Sequence, residues 1–369
     1  MADTRGGVHG AKSPAGQPAA EPGGVVGQQP PSPAPLAPGT AAGWVPRLAG
    51  IAAGAARQRE SGIILAGIII FIIFSITSGG QFDTASTWGT IVGSAAELGI
   101  VTVGVAMLMV GGDFDLSVGA NFAFSALVMA IMTQHGYPVL AGLVVAAAIG
   151  AGIGLLNAFA TLYFDIPSFV ATLGTWLLWS GITLVVAGGA TITVFSSSAV
   201  LRVLGGPLFG QFSFEGVWWL VIAIVIGVVL HRTVFGNWVF AVGGRRQAAY
   251  EAGVRVARTR TLNFVVCGLL AALAGAVTLG HLSSMAESYG TYYQLYAIAA
   301  AVVGGCALYG GRGSIFGAVI GSVILSMLDT GLILSGVSTY WYQAVVGIIV
   351  VLAVAMHTRV GRLIRGGGE

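Results

Sequence analysis

SGIILAGIIIFIIFSIT, residues 61–77, is an apolar run without a charged side chain, and it decides the class of fold. Its length is close to the ~20 residues that a helix needs to cross the hydrocarbon core of a bilayer. The whole chain has the same character: 56% of its 369 residues are hydrophobic and 8% are charged, against roughly 25% charged in an average soluble domain. The bilayer is therefore the predicted main solvent.

Nine further apolar runs follow the first one. We predict ten membrane spans at 61–77, 89–110, 116–133, 138–162, 168–187, 217–231, 261–281, 294–310, 314–335 and 338–357. Helices and closed barrels satisfy every backbone group in lipid, and these runs lack the alternation of barrel strands. The predicted fold class is an all-α integral membrane protein of about ten transmembrane helices, some of them broken or re-entrant.

The two ends of the chain differ from this middle part. Residues 1–46 hold nine of the twelve prolines, and such a composition cannot bury enough apolar surface to offset the entropy of ordering. We predict a disordered cytoplasmic tail over 1–60, a ten-helix transmembrane domain over 61–357 and a cytoplasmic tail over 358–369. The first span begins too deep in the chain for an ordinary cleaved signal peptide, so we expect it to be retained.

Arginines provide an independent test of the span count. They cluster before the first span, between spans six and seven, and after span ten, at residues 47–59, 232–260 and 359–365. With ten spans all three clusters fall on one side, which the positive-inside rule makes cytoplasmic. The sequence thus predicts cytoplasmic termini and a cytoplasmic loop over 232–260.

Several kinds of active site are disfavoured by composition. The only lysine is Lys12 in the polar tail, so the chain has no Walker A phosphate loop, and any ATP must be bound by another chain. Cys267 and Cys306 lie in apolar runs without the spacing of a disulfide or zinc site, and we expect them to be packing residues. The five histidines are scattered along the chain. The net charge is +3, but the basic residues do not form a continuous stripe of the kind that binds nucleic acid. We predict no catalytic residues, no metal and no cofactor.

The most informative part of the loop is residues 235–260. Glycines at 243–244 break the preceding structure, 247–252 is a run of helix formers, and Gly253 is a natural left-handed cap. We predict a short exposed helix that docks a cytoplasmic partner; the alternative is a solvated basic loop that only sets topology. The small and charged positions for docking are Ala248, Ala249, Ala252, Arg245, Arg246 and Glu251.

Two more segments interrupt the spans. GGDFDLS, residues 111–117, holds paired glycines, which indicate irregular backbone at membrane depth, and Asp113 and Asp115. Asp115 or Ser117 can cap the next helix, and a simple capping turn is the alternative. In residues 298–317 two further glycine pairs indicate a broken or re-entrant segment, and Arg312 is a candidate partner for one of the two aspartates.

Polar side chains inside the spans are candidates for lining a transport route. The alternative for each is an interhelical hydrogen bond, and tryptophans that suit stacking on a sugar ring also favour the membrane interface. Glu97 and Asp329 are the costliest to bury. The candidates are Asp113, Asp115, Ser117, Asn121, Asn157, Thr172, Thr175, Trp176, Asp329 and Trp341, with Glu97, Trp179, Asn263 and Gln343 as further members.

Four stretches of the chain resemble the permease subunits of bacterial ABC importers for ribose, xylose, arabinose and related monosaccharides. The stretches are GGDFDLSVGA (111–120), IPSFVATLGT (166–175), FAVGGRRQAAYEAGV (240–254) and YAIAAAVVGGCALYGGRGSIFGAVIG (296–321). They occur in order within residues 61–357.

The resemblance implies a homodimer of ten-helix subunits in a bacterial inner membrane. It also implies two cytoplasmic ATPase chains, which bind ATP and Mg, and a periplasmic or lipid-anchored sugar-binding protein. The coupling role of the family is assigned to Arg245, Arg246, Ala249, Glu251 and Gly253, although the arginine pair stands where relatives often carry acidic or polar residues.

We therefore predict a permease subunit that moves a neutral monosaccharide by alternating access. An importer of a non-sugar solute such as autoinducer-2 is one alternative. A secondary transporter driven by an ion gradient, with Glu97 or Asp329 as the ion site, is another. A membrane scaffold without transport is disfavoured because interrupted helices would then have no purpose.

Overall fold

A computed structural model describes the backbone of residues 59–366 and the side chains of residues 62–353 and 355. The described part is almost entirely helical. The helices are α1 (Arg59–Thr77), α2 (Ala85–Val110), α3 (Val118–Gln134), α4 (Val139–Tyr163), α5 (Ser168–Ala187), α6 (Ala199–Gly205), α7 (Phe214–Arg232), α8 (Val234–Gly244), α9 (Arg246–Glu251), α10 (Val256–Leu282), α11 (Tyr293–Val303), α12 (Ile315–Leu334) and α13 (Tyr340–Gly366). Within this part six helices, α2, α4, α5, α7, α10 and α12, are long and apolar enough to span a bilayer, and α1, α3, α8 and α13 provide shorter apolar stretches.

Two short antiparallel strand pairs and one 3-10 turn complete the described elements. β1 (Ile192–Thr193) pairs with β4 (Ser284–Met285), and β2 (Pro207–Phe209) pairs with β3 (Phe212–Ser213). The 3-10 turn covers Glu287–Gly290. These elements lie in the connections that precede α7 and α11, so they leave the helical core uninterrupted.

Helices α2 and α10 form the centre of the bundle. In the most apolar stretch of each helix, 83% of the residues of α2 and 72% of those of α10 are buried, compared with 17% for α5. Glycines allow α10 to cross α4 closely, because a Cβ at Gly154 would overlap the Phe264 carbonyl oxygen and a Cβ at Gly268 would overlap that of Gly150. In lipid, where no hydrophobic force drives helices together, such close backbone contact is a main source of packing energy.

The ten predicted spans each overlap one helix, and their ends differ most at α11 and α13. The eighth span was predicted to reach residue 310, whereas α11 ends at Val303 and irregular backbone leads to α12. Gly304 packs against the backbone of Gly317 and Gly305 adopts φ +87°, so the chain turns there. At the other end of the chain α13 continues to Gly366, past the predicted boundary at residue 357.

The predicted loop over 232–260 is more ordered than expected. Residues 234–244 form α8, whose first turn is capped by Thr233 through a 3.2 Å bond from the Gly236 amide. The turn between α7 and α8 is tight because Gly236 lies directly against the Leu230 carbonyl oxygen. The predicted N-terminal tail lies outside the described residues except for 59–60, whereas residues 358–366 of the predicted C-terminal tail belong to α13.

Candidate functional site

Helix α9 has the short form that its sequence predicts. It ends in a Schellman motif, in which the Gly253 amide donates to the Tyr250 carbonyl at 2.9 Å and the Val254 amide to the Ala249 carbonyl at 3.0 Å. Gly253 has φ +82°, the left-handed conformation expected of this cap. Ala248, Ala252 and Glu251 are exposed, so α9 presents a surface on which a partner can dock.

Two of the predicted docking residues face their own chain instead. Ala249 is only 4% exposed, which places it on the inner face of α9 because positions three to four apart share a face and its neighbours 248 and 250 do not. The Arg246 guanidinium also turns inward, whereas Arg245 and Glu251 are exposed. The outward small-residue face is therefore reduced to Ala248 and Ala252.

The cap at Gly253 allows a direct test of α9. Because an L side chain in the left-handed region costs roughly 1–2 kcal/mol, Gly253→Val should loosen the end of α9. No atom lies within 4 Å of a Cβ at this position, so the expected effect is conformational and not steric. We expect faster hydrogen exchange of the α9 amides in Gly253→Val and a much smaller change in Gly253→Asn, since Asn tolerates this conformation. Equal exchange in both variants would contradict the assignment.

Next to α9 lies the Asp113 cluster, which consists of Asp113, Arg246 and Arg260. The Arg260 guanidinium, on the first turn of α10, donates to Asp113 Oδ2 from Nε and to Oδ1 from Nη2, both at 2.7 Å. Arg246 Nη2 donates to Asp113 Oδ1 at 3.1 Å and to the Gly112 carbonyl at 2.9 Å. The predicted pairing of Arg312 with Asp113 or Asp115 was wrong, because Asp113 is occupied by these two arginines and the Arg312 side chain is exposed.

Near the Asp113 cluster three of the glycine pairs, 111–112, 243–244 and 310–311, meet in one glycine junction, formed by Gly112, Gly243 and Gly310. A Cβ at Gly243 would overlap the Val110 carbonyl oxygen, and one at Gly310 would lie 2.8 Å from Gly112 Cα. Gly112 and Gly310 adopt φ +81° and +79°, and the Gly311 amide donates to the Val110 carbonyl at 2.8 Å. At this junction the segments 111–117, 235–260 and 298–317 come into backbone contact at distances that only glycine permits.

The Asp115 network begins two residues after Asp113. It consists of Asp115, Ser117, Asn157 and Thr175. Asp115 Oδ1 accepts bonds from the Ser117 amide at 2.8 Å and its hydroxyl at 2.6 Å. Asn157 Nδ2 donates to both Asp115 oxygens at 3.1 Å, and Thr175 Oγ1 donates to Asn157 Oδ1 at 2.7 Å. Asp115, Ser117 and Asn157 are fully buried. The network thus joins residues 115–117 to α4 and α5 by hydrogen bonds alone.

The expected capping role of Ser117 is not observed. Ser117 precedes α3 but makes no side-chain cap bond, because its hydroxyl donates to Asp115. The segment is instead held by α5: the Phe114 amide donates to Ser168 Oγ at 3.1 Å, and the Leu116 amide to Thr172 Oγ1 at 3.0 Å. Thr172 therefore binds backbone and is not free to meet a solute.

The remaining sequence candidates lie apart from the two clusters. Asn121 bridges the α4–α10 crossing by donating to the carbonyls of Gly150 and Gly268 at 3.3 and 3.0 Å, which is a packing role. Trp176 follows Thr175 on α5 and is half-buried, and Trp341 is 61% exposed. Asp329 is half-buried on α12. The structure therefore divides the candidates among several places.

A second group of ionisable side chains lies toward the far end of α10. His281 Nδ1 is 3.1 Å from Glu215 Oε1, and Tyr293 donates to Glu97 Oε2 at 3.0 Å. His281 is 21 positions beyond Arg260 on α10, which corresponds to about 32 Å of helix. Glu97 was a candidate from the sequence, but the roles of Arg260, Glu215, His281 and Tyr293 were not predicted, since each pairs with a residue more than 60 positions away.

Comparison with known proteins agrees with this architecture. A family model described as "Branched-chain amino acid transport system / permease component" matches residues 87–354. The chain is 33% identical to the probable ABC transporter permease protein YphD of Escherichia coli (strain K12) over 295 residues, 80% of this chain and 88% of the relative. It is 33% identical to the ribose import permease protein RbsC of Bacillus subtilis (strain 168) over 302 residues, 82% and 94% of the two chains.

A third relative widens the range of named solutes. The fructose import permease protein FrcC of Rhizobium meliloti is 31% identical over 298 residues, 78% of this chain and 82% of the relative. No solved structure matches the chain. With its apolar helices, a family model that covers most of its length and relatives matched over about four-fifths of it, this chain belongs to the family of branched-chain amino acid transport system permease components and is a multi-pass protein of the inner membrane.

Proposed function

We propose that this protein is the permease subunit of an ATP-driven importer and that it moves a monosaccharide by alternating access. The similar relatives named for ribose and fructose import support a sugar over an amino acid. The observation that carries the proposal is the Asp115 network, in which hydroxyl, amide and carboxylate groups lie buried without an arginine among them. Such groups suit the hydroxyls of a neutral solute, whereas an amino acid would require partners for two charges.

The route is proposed to pass along α5 beside Thr175 and Trp176. Both are half-buried, and Thr175 is the partly exposed member of the Asp115 network. Asn157 lies next to Thr175, and its Oδ1 accepts a hydrogen bond from the Thr175 hydroxyl. A sugar hydroxyl can replace this intramolecular bond during passage, while the indole of Trp176 offers an apolar face for stacking on the ring.

The proposed orientation places α8, α9 and both termini in the cytoplasm, as the arginine clusters favour. The exposed surface of α9 then meets a cytoplasmic ATPase chain, which supplies the ATP and Mg sites. A sugar-binding protein delivers solute from the opposite side. The largely exposed apolar surface of α5 supports a homodimer in which two copies enclose the route. All ten apolar helices that overlap the predicted spans are proposed to cross the membrane.

Reconstitution tests this proposal. The chain is incorporated in liposomes with the ATPase and binding protein encoded beside its gene, and uptake of labelled ribose, fructose, leucine and autoinducer-2 is compared. We expect ATP-dependent, vanadate-sensitive uptake of a monosaccharide that an uncoupler leaves unchanged. Uptake of leucine or of autoinducer-2 alone would contradict the sugar assignment. Uptake that needs no added ATP and that an uncoupler abolishes would favour a secondary transporter, for which Glu97 in α2 is a half-buried acid hydrogen-bonded to Tyr293.

Thr175 allows the proposed route to be examined with a matched control on the same helix. Thr175→Val removes the hydroxyl that this route offers to the solute, and loss of one hydrogen bond worth about 0.5–1.5 kcal/mol should lower uptake at low solute concentration by roughly two- to tenfold. Thr183→Val is the control, because the Thr183 hydroxyl donates only to the Trp179 carbonyl on its own helix. Equal uptake by the two variants would place the route elsewhere.

A further inference from the structure

The side chain of Arg246, the first residue of α9, reaches from α9 to the segment that follows α2. Its Nη2 donates both to the Gly112 carbonyl at 2.9 Å and to Asp113 Oδ1 at 3.1 Å. It thereby connects α9 to the end of α2, which is 133 positions away in the chain. Among the described residues no other side chain of α9 makes an ion pair with the rest of the protein.

The two ion pairs of Asp113 differ in strength. The Arg260 pair is bidentate and its guanidinium is 10% exposed, while Arg246 is 48% exposed and makes a single bond to the carboxylate. Buried bidentate pairs resist separation, whereas half-exposed pairs contribute little to stability and break readily. Asp113 is therefore fixed to α10 and bonded reversibly to α9.

Asp113 and Asp115 are only two residues apart, a distance of at most about 7 Å even in fully extended backbone. The intervening Phe114 amide is bonded to Ser168 at the start of α5. Both carboxylate oxygens of Asp115 accept hydrogen bonds from Asn157 Nδ2 of α4. A shift of residues 112–113 must therefore displace the hydrogen bonds that hold the Asp115 network.

The glycine junction gives this segment little freedom to absorb a shift. Gly243, next to α9, packs on the Val110 carbonyl without any side chain between the two backbones. Flexible side chains at such a contact would yield by changing rotamer, but packed backbone moves as a unit. Movement at Gly243, which lies in α8 three residues before α9 begins, thus reaches Val110 by direct contact, and Arg246 connects α9 itself to residues 112–113.

We propose that Arg246 is a positioning residue that transmits movement of α9 to the Asp115 network through Asp113, and that it does not dock the ATPase. This inference rests on the proposed function, because α9 moves only if a partner ATPase drives it. It assigns docking to the exposed positions Ala248 and Ala252 and transmission to Arg246. Segment 111–117 connects the two sites, because Asp113 is bonded to Arg246 of α9 and Asp115 is bonded to Asn157 of α4.

The test uses the complete complex of this chain with its ATPase, in proteoliposomes. Docking is measured by cross-linking an Ala248→Cys variant to the ATPase. Transmission is measured by the rate at which a Trp176→Cys variant reacts with a maleimide, with and without trapping by ATP and vanadate. Cys267 and Cys306 are buried, so the chain without the added cysteine gives the background. Neither measurement requires the transported solute.

Arg246→Ala should leave the Ala248 cross-link and the unfolding midpoint unchanged. The ATP-dependent change in Trp176→Cys labelling should fall about fivefold or more, the range of typical coupling effects, and uptake should fall with it. Arg246→Lys should restore part of both, since an ammonium can donate to the same two oxygens. Arg258→Ala, which removes an exposed arginine of α10 without an ion pair among the described residues, is the charge-matched control.

Three results are decisive. Unchanged labelling and uptake in Arg246→Ala, within a complex that transports, would overturn the inference alone. Loss of the Ala248 cross-link in Arg246→Ala would make Arg246 a docking residue and overturn it as well. Absence of ATP-driven uptake in the unaltered complex, with a sugar or any other solute of the panel, would contradict the proposed function and the inference together.

Discussion

Asp113→Ala should destabilise this protein more than any other single removal of a charge in the Asp113 cluster. The variant leaves the Arg260 guanidinium, 10% exposed, without its carboxylate. Removing one partner of a buried ion pair costs about 3–5 kcal/mol, because the remaining charge has neither water nor a counter-ion. The measurement is the free energy of unfolding of the purified chain in mixed detergent micelles, titrated with denaturing detergent.

Two further variants separate the charge from the loss of packing. Asp113→Ala combined with Arg260→Met should recover most of the lost stability, since an apolar pair of similar volume often replaces a buried ion pair at little cost. Arg246→Ala should lose less than about 1 kcal/mol because its pair is half-exposed. If Asp113→Ala is as stable as Arg246→Ala, the Asp113–Arg260 pair does not hold the end of α2 to α10.

Gly243→Ala should have the second large effect. The added Cβ would overlap the Val110 carbonyl oxygen and lie 2.7 Å from the Gly311 nitrogen, and both of these are backbone atoms. A side chain cannot rotate away from this contact, so α2 and α8 must separate. Overpacking of this kind costs typically about 1–3 kcal/mol, and here it also strains the Gly311–Val110 hydrogen bond.

The neighbouring residue supplies a matched control. No atom lies within 4 Å of a Cβ at Gly244, so Gly244→Ala should be neutral or slightly stabilising through its higher helix propensity. Unfolding free energy and ATP-driven uptake are measured for both variants. Similar stability of Gly243→Ala and Gly244→Ala would mean that the three segments do not meet through backbone contact.

Local features of this protein were predictable from its sequence because they depend on neighbouring residues. The apolar run at 61–77 predicts a helix through length and composition alone, and it lies within α1. Gly253 was predicted to be left-handed because helix formers precede it and only glycine adopts that conformation freely, and its φ is +82°. The paired glycines predicted irregular backbone at 111–112 and 304–305 for the same reason.

The uses of particular side chains were less predictable. Ala249 was expected to face a partner, and it is buried within its own chain because α9 rests on the bundle. Asp115 or Ser117 was expected to cap α3, and the Ser117 hydroxyl and amide instead both donate to Asp115 Oδ1. In both cases the residue type permitted either role, and the neighbouring helices determined which of them occurs.

Composition and local pattern by themselves determined that this chain is a helical membrane protein, where most of its long helices lie, and which segments are interrupted. Only the tertiary structure decided that Asp113 pairs with Arg260 and not with Arg312, and that Asp115 binds Asn157. The physical reason is the distance along the chain over which each interaction acts. A helix or a cap depends on bonds between residues about four positions apart, whereas an ion pair across 147 positions depends on how whole helices pack, and many arginines in the chain are equally suitable until that packing is known.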